Sequence, residues 1–565
     1  FRPAQVGALA ACLLLVVGVG VAAFGALNSR ANLAGAPAQV DTAVAMRSHA
    51  GEALPVAQTY DEIFDAFMQD ESADGTVDRG SLEMYGDAES ATADGAMDGA
   101  ASDTALIGDD AFGSHSVTNT RTEGVDEGDL VKTDGRYLYT LYDADPESYD
   151  YASHWRLGIV DTQGETLEQL ATIEFDQNLS VYEFYLQDNR LFVLAGYYEP
   201  YVVDPVTSLP TMIEPRDADD YVLDEGYQVD PCSYKHIGTR VLSYDVSDPA
   251  HPQEIAAFAQ DGAFVTSRIE DSYLYLLTEY APPVQAPSSI ETTDGEAADT
   301  VLYGSQAIGI VYGLVAAELD AEQALVPRVC DVPLAPDNIY MPSDERATSY
   351  MVMSSIKLDA PAYAQDSVAV LTDYAQLYMG SQSIYLYQQT YDDSQGETQL
   401  FYPDKTLLYA FDYVEGEITS RAQTSCAGIV PDSFCIDEYD GTLRVVSQRY
   451  AFDEETFEDA STTELSVFDQ DLQRIGFIDN IAPGEQLKSA RFIGEAGYFV
   501  TFLQVDPLFV VDLSDPANPR ITDELTLPGF SQYLHPYTQD KLLGIGYAAD
   551  ENTGVLDGLK LSMFD

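Results

Sequence analysis

The residues able to do chemistry crowd into one short stretch. Glu123–Gly135 reads EGVDEGDLVKTDG and carries five carboxylates in twelve residues. Asp126, Glu127, Asp129 and Asp134, followed by Gly135, offer the clustered oxygens that a hard cation such as calcium prefers. Their spacing departs from the twelve-residue helix-loop-helix pattern, and a strand-like run, Tyr137–Leu141, follows where a helix would be needed. A second reading stands beside calcium. Glu123 and Asp126 pair with Arg121 or with an arginine lining the centre of the domain, while Lys132–Gly135 make a hairpin turn into Tyr137.

Elsewhere the chemical signals are sparse. The chain has six histidines, and none stands three or four residues from another, so zinc and haem are not expected. A Gly-x-Ser-x-Gly nucleophile elbow, a phosphate-cradling glycine loop and a dinucleotide fingerprint are all missing from the sequence. Beyond Cys12 there are four cysteines, an even number that suits an oxidising compartment. Cys426 and Cys435 flank a turn and make one plausible bridge, and Cys232 and Cys330 could staple two long inserts. Four cysteines allow three connectivities, so the pairing stays open.

Composition narrows the partners. Against 95 acidic residues stand 26 basic ones, a formal charge of −69. Phosphate binding draws on Lys and Arg, so nucleic acid is excluded as a natural partner. Cations, cationic polymers or high salt fit better. Only seven of the basic residues are Lys, which favours a solvated, salt-adapted surface over metal binding along the whole chain.

The positioning elements follow from patterning. Residues 6–27 are 22 uncharged residues, long enough for a membrane-spanning helix and longer than the apolar core of a typical cleaved signal. An uncleaved anchor is expected, with residues 1–5 as a cytoplasmic stub and Arg2 marking that side. Secretion after signal cleavage is the alternative. The start at Phe1 and the end at Asp565 inside an apparent strand predict a fragment. Residues 28–115 read as an extracytoplasmic tether. Within it Tyr60, Ile63, Phe64, Phe67 and Met68 predict a short amphipathic helix near 58–68, and Gln69–Gly113 lacks the apolar residues needed to repay ordering.

From Ser116 the chain becomes β-type. Paired runs recur: GRYLYTL with RLGIVD, NRLFVLAG with RVLSYD, SYLYLLTE with YMVMSSIKLD, SIYLYQQ with LLYAFD, GTLRVVSQ with LSVFD, GYFVTF with LFVVD, and KLLGIG with LKLSMFD. Where loops are short the period is about 43 to 57 residues, as expected of four-stranded blades. The predicted fold class is all-β, a β-propeller with seven units visible and seven to nine in the complete ring, over 116–565, with inserts at 196–238 and 280–349. Ser247-Asp248-Pro249 and Ser514-Asp515-Pro516 read as blade-edge turns. Arg491, His535, Asp506 and Glu438 fall on equivalent inner-strand regions and could face a central channel. For His535 a satisfied hydrogen bond within its blade is the favoured reading.

The segments Glu123–Gly135, Thr266–Glu279, Ile436–Ser447, Ala482–Pro519 and Gly529–Tyr537 resemble the secreted proteins with a C-terminal β-propeller domain distantly related to WD-40 repeats. The resemblance implies an extracytoplasmic propeller of uncharacterised biochemical function, continuing with further blade-like sequence. Gly128 stands where that family commonly has Ala, which is expected to loosen the opening loop. Two functions of different class follow. The first is a membrane-tethered binding or scaffold module whose Tyr- and acid-rich inserts contact an extracellular protein or polysaccharide. The second is an extracellular hydrolase or lyase working at the channel mouth, and fold alone licenses neither. A calcium-stabilised surface protein is a third reading.

Overall fold

The computed structural model describes residues 49, 53–68, 125–145, 154–163, 166–200, 234–282, 325–342, 347–390, 403–453, 458–502, 506–527, 529–538, 541–549 and 556–564. All of them fall in the compact unit Arg47–Asp565. The expected anchor at 6–27, most of the tether, Cys232, and the cores of both inserts lie outside the described residues. Among the described residues no helix is long and apolar enough to cross a membrane.

Among the described residues seven antiparallel meanders follow one another, and a two-stranded ribbon, Phe452–Asp453 with Glu458–Asp459, makes an eighth sheet. The first sheet runs Val131–Thr133, Tyr137–Asp143, Trp155–Asp161 and Glu168–Glu174. The second is built on Leu179–Gln187, Arg190–Pro200, Tyr234–Asp245 and Gln253–Asp261, and the third on Ala263–Glu270, Tyr273–Tyr280, Ser349–Lys357 and Ala364–Thr372. The fourth comprises Gln376–Met379, Ser383–Thr390, Lys405–Val414 and Glu417–Ala427; the fifth, Ile436–Tyr439, Thr442–Arg449, Thr462–Phe468 and Arg474–Ile481. Gln486–Ile493, Ala496–Phe502, Asp506–Asp512 and Arg520–Leu527 make the sixth, and Phe530–Thr538, Lys541–Ala549 and Leu556–Phe564 the seventh. Each of the seven run pairs read from the sequence is the hydrogen-bonded second and third strand of one sheet.

In the second to sixth sheets these middle strands are apolar on both faces because both faces are covered. Tyr139, Leu157 and Ile159 of the first sheet pack with Phe184, Val193 and Leu242 of the second. Met351 and Val368 of the third meet Leu386 and Phe411 of the fourth. Tyr387, Val445 and Phe509 carry one core through the fourth, fifth and sixth sheets, and Val500, Leu508, Leu534 and Leu542 join the sixth to the seventh. The other face of the seventh sheet is open: Leu559 and Leu561 are 82% and 71% exposed, with Ile545, Tyr547 and Met563 beside them.

Connections differ between the two ends of the sheets. First and second strands are joined by two or three residues in every sheet, and Asp188, Asp271 and Asp440 take positive φ there, as tight hairpins require. Both Ser-Asp-Pro segments are turns from a third to a fourth strand, with Asp248 and Asp515 each accepting a backbone N–H two residues on. Second-to-third connections span 11 to 68 residues in the first five sheets, and three and six in the last two. In an antiparallel meander these longer connections leave from the same end as the crossovers to the next sheet.

Two stretches from the N-terminal part clasp the third sheet. Val125–Asp126 pairs with its first strand. At the opposite edge Ile339–Tyr340 adds a parallel strand to Ala364–Thr372, and Val56 bridges to Tyr340. A helix, Tyr60–Met68, continues this strap; Thr59 Oγ1 accepts the Glu62 N–H and Glu62 reaches back to the Gln58 N–H, close to a capping box. Ile63 is fully buried and Phe67 packs 5.1 Å from Tyr350.

Candidate functional site

The acidic stretch does more than open the first sheet. Val125 and Asp126 lie opposite Glu270 and Ile269 on the third sheet. Asp129 then exchanges two backbone hydrogen bonds with Phe184 on the second, at 3.2 and 3.1 Å, and Val131–Thr133 becomes the first strand of the first sheet. Nine residues therefore tie together the first strands of three sheets.

Side chains fix this crossing. Lys132 Nζ donates to Asp126 Oδ1 at 3.0 Å and to the Glu127 carbonyl at 2.8 Å, and sits 5.5 Å from the Tyr185 ring centroid. Gln187 donates to the other Asp126 oxygen at 3.2 Å, and Arg268 Nε lies 3.3 Å from Glu127 Oε1. Beneath them Glu183 accepts a 2.5 Å hydrogen bond from Ser267, which also meets the Tyr185 hydroxyl at 2.8 Å. Burial raises the Glu183 carboxyl above its ordinary range, against the opposing pull of Ser267 and Arg268. Gly128 corrects an expectation: a Cβ there would come within 2.2 Å of the Glu183 carboxyl carbon, so glycine tightens the crossing by letting backbone close over that carboxyl.

The four carboxylates read as a calcium set are thus divided among protein partners. Asp126 and Glu127 face cations, Asp129 accepts the Leu130 N–H, and Asp134 accepts the N–H groups of Arg136 and Tyr137 in the turn. The expected hairpin at Lys132–Gly135 is present, with Gly135 at φ 92°. Among the described residues no group of three or more His, Cys, Asp or Glu is placed to hold a metal.

The four channel candidates separate. Glu438, Arg491 and His535 lie on the first strands of the fifth, sixth and seventh sheets, whereas Asp506 opens the third strand of the sixth, so its assignment to an inner strand is corrected. Arg491 and His535 are linked indirectly. Arg491 stacks 5.1 Å from Phe434, Phe434 lies edge-on 5.7 Å from Tyr533, and Tyr533 Oη is 3.5 Å from His535 Nδ1. Glu438 belongs to a different group: it accepts from Ser383 at 3.3 Å, and Arg421 binds Ser383, Asp412 and Tyr385. Burial raises the Glu438 carboxyl while Arg421 pulls it down.

Cys426 and Cys435 are both buried in one core and no bond joins them. Burial pushes the Cys426 thiol up to about 12. Cys330 is half-buried with its sulfur 3.7 Å from the Ala362 carbonyl. A cleft of about 480 Å³ lies at the fifth sheet, lined by Arg449, Thr462, Glu464, Asp479 and Asn480, and includes none of the residues singled out above.

Sequence reading missed one buried polar group altogether. His49 and Tyr340 are fully buried and Asp366 nearly so. His49 Nε2 lies 3.2 Å from Asp366 Oδ1 and Nδ1 lies 3.1 Å from the Tyr340 hydroxyl, which accepts the Ser420 N–H. Asp366 also accepts the N–H groups of Ser367 and Ile418. His49 stands 317 residues from Asp366, and no local spacing could announce the group.

Comparisons with known proteins place these features. The Beta propeller domain family is matched over residues 115–565. An uncharacterized protein of Methanocaldococcus jannaschii is 36% identical over 161 residues, 28% of this chain and 23% of that one. An uncharacterized protein of Archaeoglobus fulgidus is 38% identical over 149 residues, 26% of this chain and 22% of that one. The matched stretch thus spans less than a quarter of either relative. Among solved structures, a Pyrococcus horikoshii acylaminoacyl peptidase aligns at 8% identity and a TM-score of 0.27, covering 76% of this chain and 49% of that one; so low a score bears on neither fold nor activity here.

Proposed function

The chain belongs to the Beta propeller domain family over residues 115–565, and from that premise we propose that it is a propeller tethered outside the cytoplasm that binds a partner through one end of its sheets. The carrying observation is the asymmetry of the connections. Tight hairpins close one end in every sheet, while the other sends out connections of up to 68 residues rich in Tyr and acid. Long connections on a rigid scaffold are where binding residues concentrate. The acid-to-cation pairs at the first strands support the same reading, because Asp126, Glu127 and Lys132 are engaged with the protein itself. The uncharged segment 6–27 supplies the membrane tether, and the open face of the seventh sheet suits a ring of up to nine blades.

Replacing residues 201–233 and 283–324 by short Gly-Ser linkers tests this. The shortened chain is expected to keep its melting temperature, since loop length costs little, and to lose binding to immobilised envelope polysaccharide or to isolated surface proteins in plasmon resonance. Unchanged binding overturns the assignment of that end. A second reading, an extracellular hydrolase or lyase, rests on the Arg491–Phe434–Tyr533–His535 chain of contacts. Turnover of ester, lactone or peptide substrates that disappears in H535Q would favour it.

A further inference from the structure

The cleft at the fifth sheet is lined by polar groups that the fold leaves unused. Its volume of about 480 Å³ falls in the range of small-molecule sites, and it opens at the end bearing the long connections. Strand register builds it. Arg449 ends the second strand opposite Thr462, the first residue of the third. Thr463 then pairs with Ile481 and Leu465 with Ile478, so a bulge sets Asp479 and Asn480 together against Glu464. Asn480 takes φ 54° there, a conformation asparagine tolerates. Ala451 and Ala460, joined by a 2.9 Å backbone hydrogen bond at the base of the connection, add an apolar patch.

Glu464 is only 5% exposed and accepts from Arg449 Nη1 at 3.0 Å, while the arginine side chain as a whole stays half exposed. Among the described residues the Asp479 carboxylate, the Asn480 amide and the Thr462 hydroxyl have no hydrogen-bond partner, and none of them is sealed from solvent. The neighbouring Gln448 shows the contrast: its side chain donates to the carbonyls of Arg449, Thr462 and Glu485 and accepts the Leu487 N–H. The cleft therefore presents donors and acceptors side by side, with a hydroxyl that is both. Sugar hydroxyls, each donor and acceptor at once, match that mixture. A free anion would meet Glu464 and Asp479, and a free cation would meet Arg449.

We propose that this cleft binds a neutral saccharide unit of a polysaccharide, with Asp479 and Arg449 as its main contacts. The inference rests on the reading that this end of the sheets is the binding end.

Saturation-transfer NMR titrations with maltose, cellobiose and lactose, up to about 10 mM each, test it. At least one of the three is expected to bind. D479A is expected to weaken that binding roughly 10-fold or more, as the loss of a hydrogen bond to a charged group, and A460F to abolish it by filling the cleft. Both positions are exposed, so melting should stay within about 2 °C of the parent. E168A removes an exposed carboxylate at the hairpin end of the first sheet and should bind as the parent does. Equal losses in D479A and E168A, unchanged binding in A460F, or a preference for glucuronate over the neutral sugars would each overturn the proposal. If none of the three sugars binds while the shortened chain still loses its partner, the cleft falls and the choice of end stands. If A460F abolishes sugar binding while the shortened chain loses nothing, the cleft stands and the long connections lose their role.

Discussion

The two ends of the sheets are made of the same chain under different rules. At the hairpin end each first-to-second-strand turn is two or three residues long, and its φ signs are dictated by the twist of the strands it joins. At the other end second-to-third-strand connections vary from three to 68 residues without altering the strand pairing on either side. Geometry constrains the first end. Only closure entropy constrains the second, and that grows slowly with length. An architecture built this way can change what it presents at one end while the other keeps register.

The largest expected effect breaks the hairpin end. Gly416 has φ 81°, and a Cβ there would approach the Tyr273 ring to 2.4 Å, while its N–H donates to Tyr275 and its carbonyl accepts from Ser355. G416A is expected to cost about 2–4 kcal/mol, from strain and overpacking together. Calorimetry should show it as a clear loss of melting temperature, against no comparable loss for shortened connections.

Acid titration gives an intermediate effect and tells the ends apart. Burial pushes the Glu270 carboxyl, beside a first-to-second-strand turn, up to about 7, and Asp261, at the other end of its sheet, up to about 6. Both folded values lie above the ordinary carboxylate range of about 4. The folded state therefore binds protons more tightly than the unfolded one. The associated stability is complete below about pH 4 and is lost as pH rises through 6 to 7. Melting temperature should thus be higher at pH 5.5 than at pH 8. E270Q should remove the upper part of that slope and D261N the lower part; identical slopes in both variants would count against the assignment.

The smallest effect concerns calcium. Asp126, Glu127, Asp129 and Asp134 each have a protein donor or cation in place. Added calcium at matched ionic strength should therefore shift melting by less than about 1 °C by the mass-action rule. A larger, chelator-reversible rise would give the acidic stretch a metal role.

What the sequence made legible tracks the range of the forces involved. Alternation in Tyr137–Leu141 and its six counterparts, and the Asp and Gly of the hairpins, are local signals, and they yield the paired strands and their turns. The Glu123–Gly135 stretch was visible as an acidic loop. Its division among three sheets was not, since Glu270, Phe184 and Arg268 reach it only through the fold. Asp506, two strands away from its expected place on an inner strand, shows how one residue of a repeat can be phased wrongly. The left-handed backbone of Tyr374, at φ 54°, left no mark in residue type, because a tyrosine after an aspartate is unremarkable until Ser349 and Gln388 fix its backbone.

Nearly all sheet pairing joins strands that follow one another closely, so each sheet can form as its own residues become available. The strap is different. His49 is bonded to residues 337, 340 and 366, and the Leu54 N–H to Ser420. Synthesised near the start, it has none of these partners until some three hundred further residues have been added, and only the Ile339–Tyr340 edge of the third sheet waits with it. During synthesis the first-made part of the domain is therefore seated only after the third sheet and most of the fourth exist, and its arrival joins those two sheets.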